Sequence, residues 1–191
     1  GKVREALLGG FAYSKILAPL DAEMARIAEG HLQRHGLKLV LNDGVAGFEP
    51  GENGSLKVLT KSGAVFPADI VILALGVRPD VALAKAAGLE IGARGGIRVD
   101  AQMRTSQSDI FAVGDAVEVR DPVTGEWGLV ALAGPANRQG RIAADVIAGR
   151  DSRFRGTQGT AIIGMFGAAA AWTGVNEKTL KRRGDTDYEK V

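Results

Sequence analysis

The sequence predicts an α/β layered fold. Three observations carry that expectation. Helical and strand patterns alternate along the chain. Two runs, "DIVILAL" (69–75) and "IFAV" (110–113), are continuously apolar and rich in β-branched or aromatic residues, as parallel strands covered on both faces are. A well-punctuated helix, Pro135 to Ala148, follows the second run, with Pro135 near its first position and Gly149 just past its end. Sheets of this kind bind ligands beyond the carboxyl ends of their strands. That directs attention to two strand ends, Gly76 and Gly114-Asp115.

The elements follow in order. Leu20 to Leu37 reads as a helix: Asp21 is the N-cap, Met24, Ile27, Ala28 and Leu32 form the apolar stripe, and Gly36 is the C′ stop. "LKLVL" (37–41) is a strand. Short strands come next, with "GENGS" and "KSGA" as turns on either side of "LKVLT". After the apolar run 69–75 comes a short helix, Val81 to Ala87, closed by Gly88. "GGIRVD" is a strand, and "DPVTGEWG" (121–128) is a turn between two extended pieces. From Gly156 the composition becomes rich in Gly, Ala and Thr, and is read as strands followed by a helix around Glu177 to Arg183. Boundaries are expected near 78 and near 154.

Composition excludes several functions. The 191 residues are 46% hydrophobic and 24% charged with a formal net charge of +2, an ordinary globular balance. Lys and Arg are scattered, and Lys181-Arg182-Arg183 reads as a solvated helix end, so nucleic acid is not an expected partner. The chain has no cysteine, which removes disulfides, thiolate zinc sites and thiol nucleophiles. His31 and His35 have no further ligands in view and are read as helix-surface or boundary residues; no metal is expected. Gly156 to Asn176 is uncharged but poor in Leu, too weakly apolar for a membrane span. A cytoplasmic location is the default expectation.

The strand ends carry the chemistry. Gly114 lacks a Cβ that would keep a bulky ligand from the backbone, and Asp115 offers an acceptor-only carboxylate suited to a polyol. Equally, Gly-Asp is an ordinary turn with a capping aspartate. "LAGPANRQGRIAADVIAG" (132–149) opens a helix on small residues, Ala133, Gly134, Pro135 and Ala136, whose N–H groups and dipole favour a flat, anionic edge. It also reads as a small-residue helix packed on a sheet. In "ALGVRPD" (74–80), Gly76 suits a nucleotide's approach and Arg78 either a phosphate or a loop cap.

Together, "ILAPLDAEM", "DIVILALGVRPD", "GGIRVDAQMRTSQSDIFAVGD", "LAGPANRQGRIAADVIAG" and "GTQGTAIIGMF…TGVNEKTLKR" resemble the flavin-dependent pyridine nucleotide–disulfide oxidoreductases over residues 16 to 191. Within that family they are most similar to the coenzyme A-disulfide reductase, NADH oxidase and NADH peroxidase branch. The resemblance implies Rossmann-like nucleotide-binding domains: residues 1–78 as the later part of the NAD(P) domain, 79–154 as the returning part of the FAD domain, and 155–191 as the start of an α+β dimerisation domain. It implies FAD and NAD(P)H as cofactors and a small disulfide, persulfide or oxygen-species substrate. The implied full-length protein is a homodimer.

By the same resemblance, Asp115 binds the flavin's ribityl chain, with Thr105 to Gly114 leading to it. Ala133 to Ala136 lie at the flavin's pyrimidine edge, and Gly76 belongs to the nicotinamide nucleotide site. Asn137 falls where coenzyme A-disulfide reductases face their thiol substrate and often carry histidine. No catalytic residue is assigned, because the family's redox cysteine and its G-x-G-x-x-G segment have no counterpart here, and residues 1–15 depart from the pattern. The chain is therefore expected to be a partial one that does not turn over alone. The alternative is a non-catalytic dimerisation or nucleotide-binding module that has lost its cofactor.

Overall fold

The computed structural model describes residues 6–10 and 16–189. The chain forms two compact units, one built from 1–74 with 162–191 and the other from 75–161.

In the first unit, β1 (Ala6–Gly10) pairs in parallel with β2 (Leu37–Leu41), Leu8 opposite Leu39. Between them runs α1 (Ala22–Arg34), stopped where Gly36 takes a left-handed φ of 85°. The face that α1 buries is Ala25, Ala28 and Leu32. This corrects the expected stripe: Met24 and Ile27 are 53% and 66% exposed. Ala25 takes the inward position because Ala25, Ala28 and Leu32, at i, i+3 and i+7, share one face. Ile16, Ala28 and Leu32 pack with Leu37, Leu41 and Met165.

Three antiparallel strands follow, β3 (Val45–Pro50), β4 (Leu56–Thr60) and β5 (Val65–Ala68), joined at the two expected turns. From the other end of the chain come β9 (Ala161–Met165), β10 (Ala168–Trp172) and α4 (Glu177–Arg183). Phe166 and Gly167, which join β9 to β10, both have positive φ, 45° and 84°, as a type I′ turn requires. His31 Nε2–H donates to the carbonyls of Met165 (2.9 Å) and Phe166 (3.3 Å), and the His35 ring stacks on Phe166 at 5.0 Å. These two histidines thus serve packing. Asp21 occupies the N-cap position of α1 but caps α4 instead, accepting from the N–H groups of Glu177 and Lys178, both at 3.1 Å.

In the second unit, α2 (Ala82–Ala86) ends at Gly88 with a φ of 69°. A small sheet has the order β6 (Ile97–Arg98), β7 (Val117–Arg120), β8 (Trp127–Leu129), with β6 parallel and β8 antiparallel to β7. The helix α3 (Ala133–Ile147) turns Gln139, Ile142, Ala143 and Val146 inward. Its apolar members join Leu89, Ile97, Val99, Met103, Val117, Val119 and Phe154 in one core.

Both long apolar runs depart from expectation. Residues 69–75 are not a strand: they make no ladder with any described strand, and Ile70, Ile72 and Leu75 are 81%, 86% and 79% exposed. A parallel strand exists only through its neighbours' N–H and C=O groups, and none among the described residues flanks this segment. Residues 110–113 likewise hold only an isolated bridge, Arg104 to Phe111, and Ile110 and Val113 are each 40% exposed.

Candidate functional site

The site candidate lies in the second unit, where the chain meets the start of α3. Val113 is extended and Gly114 turns the backbone sharply at φ 82° into a single 3-10 turn, Gly114–Ala116. A side chain would be strained there. A Cβ on Gly114 would stand 3.9 Å from the Cβ of Ala136, so a methyl group there would meet α3 only at ordinary van der Waals distance. One polar bond fastens turn to helix: Gly114 N–H donates to Gln139 Oε1 at 2.7 Å. Gln139 is 2% exposed.

Asp115 follows Gly114 on the surface, and its carboxylate has no partner among the described residues. A free carboxylate beside a tight turn is an acceptor available to hydroxyl groups. The helix start supplies the complementary donors. Leu132, the N-cap residue, gives no side-chain cap, Pro135 has no N–H, and Ala136 N–H closes on the Leu132 carbonyl at 3.2 Å. The N–H groups of Ala133 and Gly134 are thus left without protein acceptors among the described residues. Pro135 is the third residue of α3 rather than the first, still within the turn whose N–H groups have no helical partner.

Ala133, Ala136, Asn137, Gly140, Arg141 and Ala144 line a shallow groove along one face of α3. Asn137 is exposed there and its Nδ2 donates to the Ala133 carbonyl at 2.9 Å, which holds the carboxamide flat on the helix. Five residues singled out in the sequence, Gly114, Asp115, Ala133, Ala136 and Asn137, therefore stand on one turn and the first turns of one helix.

Thr105 and Gly76 do not join this group in any described contact. The Thr105 hydroxyl donates to the Gln107 carbonyl (3.1 Å) and accepts from its N–H (3.2 Å), a local turn. It lines a cavity of about 1010 Å³ with Arg98, Arg104 and Trp127. Gly76 has a φ of 88° and open space where a Cβ would lie. Gln139 is the residue that sequence reasoning missed; its one signal is a polar side chain on the inward face of α3.

Among the described residues, no group of three or more His, Asp or Glu is placed to hold a metal ion, and no helix is long and apolar enough to cross a membrane. The pieces fit a ligand with a flat, electron-rich edge and a hydroxylated chain: N–H donors for the edge, small side chains for the flat face, a carboxylate for the hydroxyls.

Comparison with known proteins bears on that ligand. The sequence profile of a family described as pyridine nucleotide-disulphide oxidoreductase matches residues 12–140. The NAD(P)H sulfur oxidoreductase (CoA-dependent) of Pyrococcus furiosus is 35% identical over 164 residues, 86% of this chain and 36% of that protein. The NADH oxidase of Methanocaldococcus jannaschii is 39% identical over 135 residues, 71% of this chain and 30% of that protein. Among solved structures, reduced Bacillus anthracis CoADR-RHD matches with a TM-score of 0.86 at 45% identity, covering 94% of this chain and 32% of that one. The NAD-dependent persulfide reductase from A. fulgidus matches at 0.88 and 36% identity, covering 94% and 33%. The chain spans about a third of the length of these relatives.

Proposed function

The chain belongs to the pyridine nucleotide-disulphide oxidoreductase family, and from that premise we propose that it forms part of a flavoprotein that passes hydride from NAD(P)H through FAD to a small acceptor. The acceptor class is a disulfide, persulfide or oxygen species, by analogy with the sulfur oxidoreductase and NADH oxidase relatives. The observation that carries the reading is the pairing of an unpartnered Asp115 carboxylate with the uncapped start of α3, held together across Gly114.

In this reading Asp115 accepts hydrogen bonds from the ribityl hydroxyls of FAD. The Ala133 and Gly134 N–H groups face the pyrimidine edge, and the positive end of α3 favours negative charge there. Ala136 keeps the helix surface flat and Gly114 lets the backbone turn away beneath the ligand. A flavin held there would supply the two-electron chemistry between nicotinamide and acceptor. Asn137, on the exposed groove of α3, faces the acceptor. Gly76 belongs to the nicotinamide nucleotide site, and Thr105 supports the turn that leads toward Asp115. Residues 1–78 form the later part of an NAD(P) domain, 79–154 the returning part of a FAD domain, and 155–191 the start of a dimerisation domain. The protein acts in the cytoplasm as a homodimer.

The test uses the polypeptide encoded by the whole open reading frame. Purified protein is expected to carry FAD and to oxidise NADH when given coenzyme A persulfide, coenzyme A disulfide or oxygen. Asp115→Ala is expected to lose FAD while keeping its far-ultraviolet circular dichroism. A wild-type protein with no affinity for FAD would overturn the reading and leave the non-catalytic module in its place.

A further inference from the structure

We infer that Gln139 is a positioning residue for the flavin site: its carboxamide fixes the angle between the Gly114–Asp115 turn and the start of α3. The inference rests on the flavin reading given above.

The two halves of that site come from chain segments about twenty residues apart; each is closed by its own backbone, Val117 N–H on the Gly114 carbonyl and Ala136 N–H on the Leu132 carbonyl, and neither of those bonds ties one half to the other. The Asp115 side chain bonds to no described residue, and α3 begins without a side-chain cap. Between them, among the described residues, the single polar tie is Gly114 N–H to Gln139 Oε1, at 2.7 Å. Ala136 lies one turn before Gln139 on the same side of the helix, and its Cβ stands 3.9 Å from the place a Gly114 Cβ would take. With no side chain on Gly114, the turn lies beside Ala136 without a methyl group between them. The hydrogen bond sets the rotation of the turn, because it is directional.

The bond also has to be there. Gly114 sits at φ 82°, and the N–H of the residue at this bend points at α3 rather than along a strand ladder. Leaving that N–H without its acceptor in a half-buried place is costly, so the turn would rotate until the N–H found water. Asp115 is the next residue and would turn with it. Ala133 and Gly134 would stay in place on α3, and the carboxylate and the N–H donors would no longer address one ligand together.

The experiment compares Gln139→Leu, which keeps the volume and removes the acceptor, with Gln139→Glu, which keeps an acceptor oxygen. Three quantities are read on the open-reading-frame protein: FAD dissociation constant by flavin fluorescence, Gly114 amide protection by hydrogen exchange, and fold by circular dichroism. Gln139→Leu is expected to weaken FAD binding by about tenfold and to lose Gly114 protection. Gln139→Glu, read at mildly acidic pH where a buried carboxyl is protonated and keeps an accepting oxygen, is expected to restore both to near wild type. If wild type binds FAD and Gln139→Leu binds it as tightly with Gly114 still protected, the positioning role is overturned while the flavin reading stands. If Gln139→Leu loses FAD only in proportion to a lost fold, and Gln139→Glu does not rescue it, Gln139 is a packing residue and the inference fails. If wild type binds no FAD, the flavin reading itself fails and takes this role with it.

Discussion

The carboxylate of Glu118 occupies the space that a β-carbon on Gly92 would need. Glu118 is fully buried, and its Oε1 accepts from the N–H groups of Arg94 (2.6 Å) and Gly96 (3.4 Å). Its Oε2 has no hydrogen-bond donor among the described residues, and Arg98 Nε lies 3.6 Å away. The Arg98 guanidinium in turn covers the Trp127 ring at 3.9 Å. A β-carbon on Gly96 would fall 2.7 Å from Leu129 Cδ2 and 2.9 Å from the Glu118 backbone nitrogen. Turn 92–96 is thus wrapped around one buried charge. Gly92→Ala and Gly96→Ala should each cost about 1–3 kcal/mol through overpacking. Arg98→Met should cost about 3 kcal/mol, the lower end for a broken buried pair because Arg98 is partly exposed. Urea denaturation followed by tryptophan fluorescence measures all three.

Gly114 and Gly140 make a matched pair on opposite sides of the same question. A Cβ on Gly114 meets only ordinary contact, so Gly114→Ala is penalised by its positive φ alone, about 1–2 kcal/mol. Gly140 lies inside α3 with open space around it, so Gly140→Ala should stabilise the helix by about 0.8–1 kcal/mol. Opposite signs in the two thermal midpoints are the expected result. A raised midpoint for Gly114→Ala would mean that the turn at 114 is not left-handed in solution, and a lowered one for Gly140→Ala that the space beside α3 is filled.

Asp43 gives the first unit a pH dependence. The hydrogen bond from Ser62 Oγ, at 2.6 Å, holds its carboxyl below the ordinary carboxylate range; burial opposes this, and the Thr60 side chain and the Ser62 backbone N–H add to it. A carboxyl lowered by folding contributes stability above its unfolded pKa, and that stability is lost as pH falls through the folded value. Denaturation midpoints should therefore drop as pH is taken below about 4. Asp43→Asn and Ser62→Ala should each flatten that slope; an unchanged slope in both would assign it to other carboxylates.

The exposed apolar segment should govern solubility. Ile70, Ile72, Leu73, Leu75 and Val77 are 57–86% exposed in a run with no strand partner among the described residues. Such a run is a template for strand pairing. The 191-residue chain alone should bind a hydrophobic dye and associate with rising concentration. Ile70→Lys with Ile72→Lys should reduce both while leaving the unfolding free energy within about 0.5 kcal/mol of wild type. Dye fluorescence and light scattering decide it.

Much of the layout was legible locally. Turns at 51–55 and 61–64, the stops at Gly36, Gly88 and Gly149, and the start of α1 at Asp21 stand where Gly, Asn and Asp predict them. The candidate site was legible in the same way, because Gly114 and the small residues of α3 announce themselves by what they lack. Gln139 was not, since its role is visible only once Gly114 lies against its helix. Nor was β1, a strand of Ala, Leu and Gly without a clear period, recognisable only by its pairing with β2.

What the sequence determined by itself is where the backbone bends and stops, because those choices rest on the φ preference and capping chemistry of single residues. The tertiary structure decided which partners each group finds. It sent the Asp21 carboxylate to α4 rather than to its own helix, turned Ala25 inward in place of Met24, and gave 69–75 no strand partner among the described residues. Strand pairing and long-range capping both require a donor or acceptor from elsewhere in the chain. No local pattern, however apolar, can supply it.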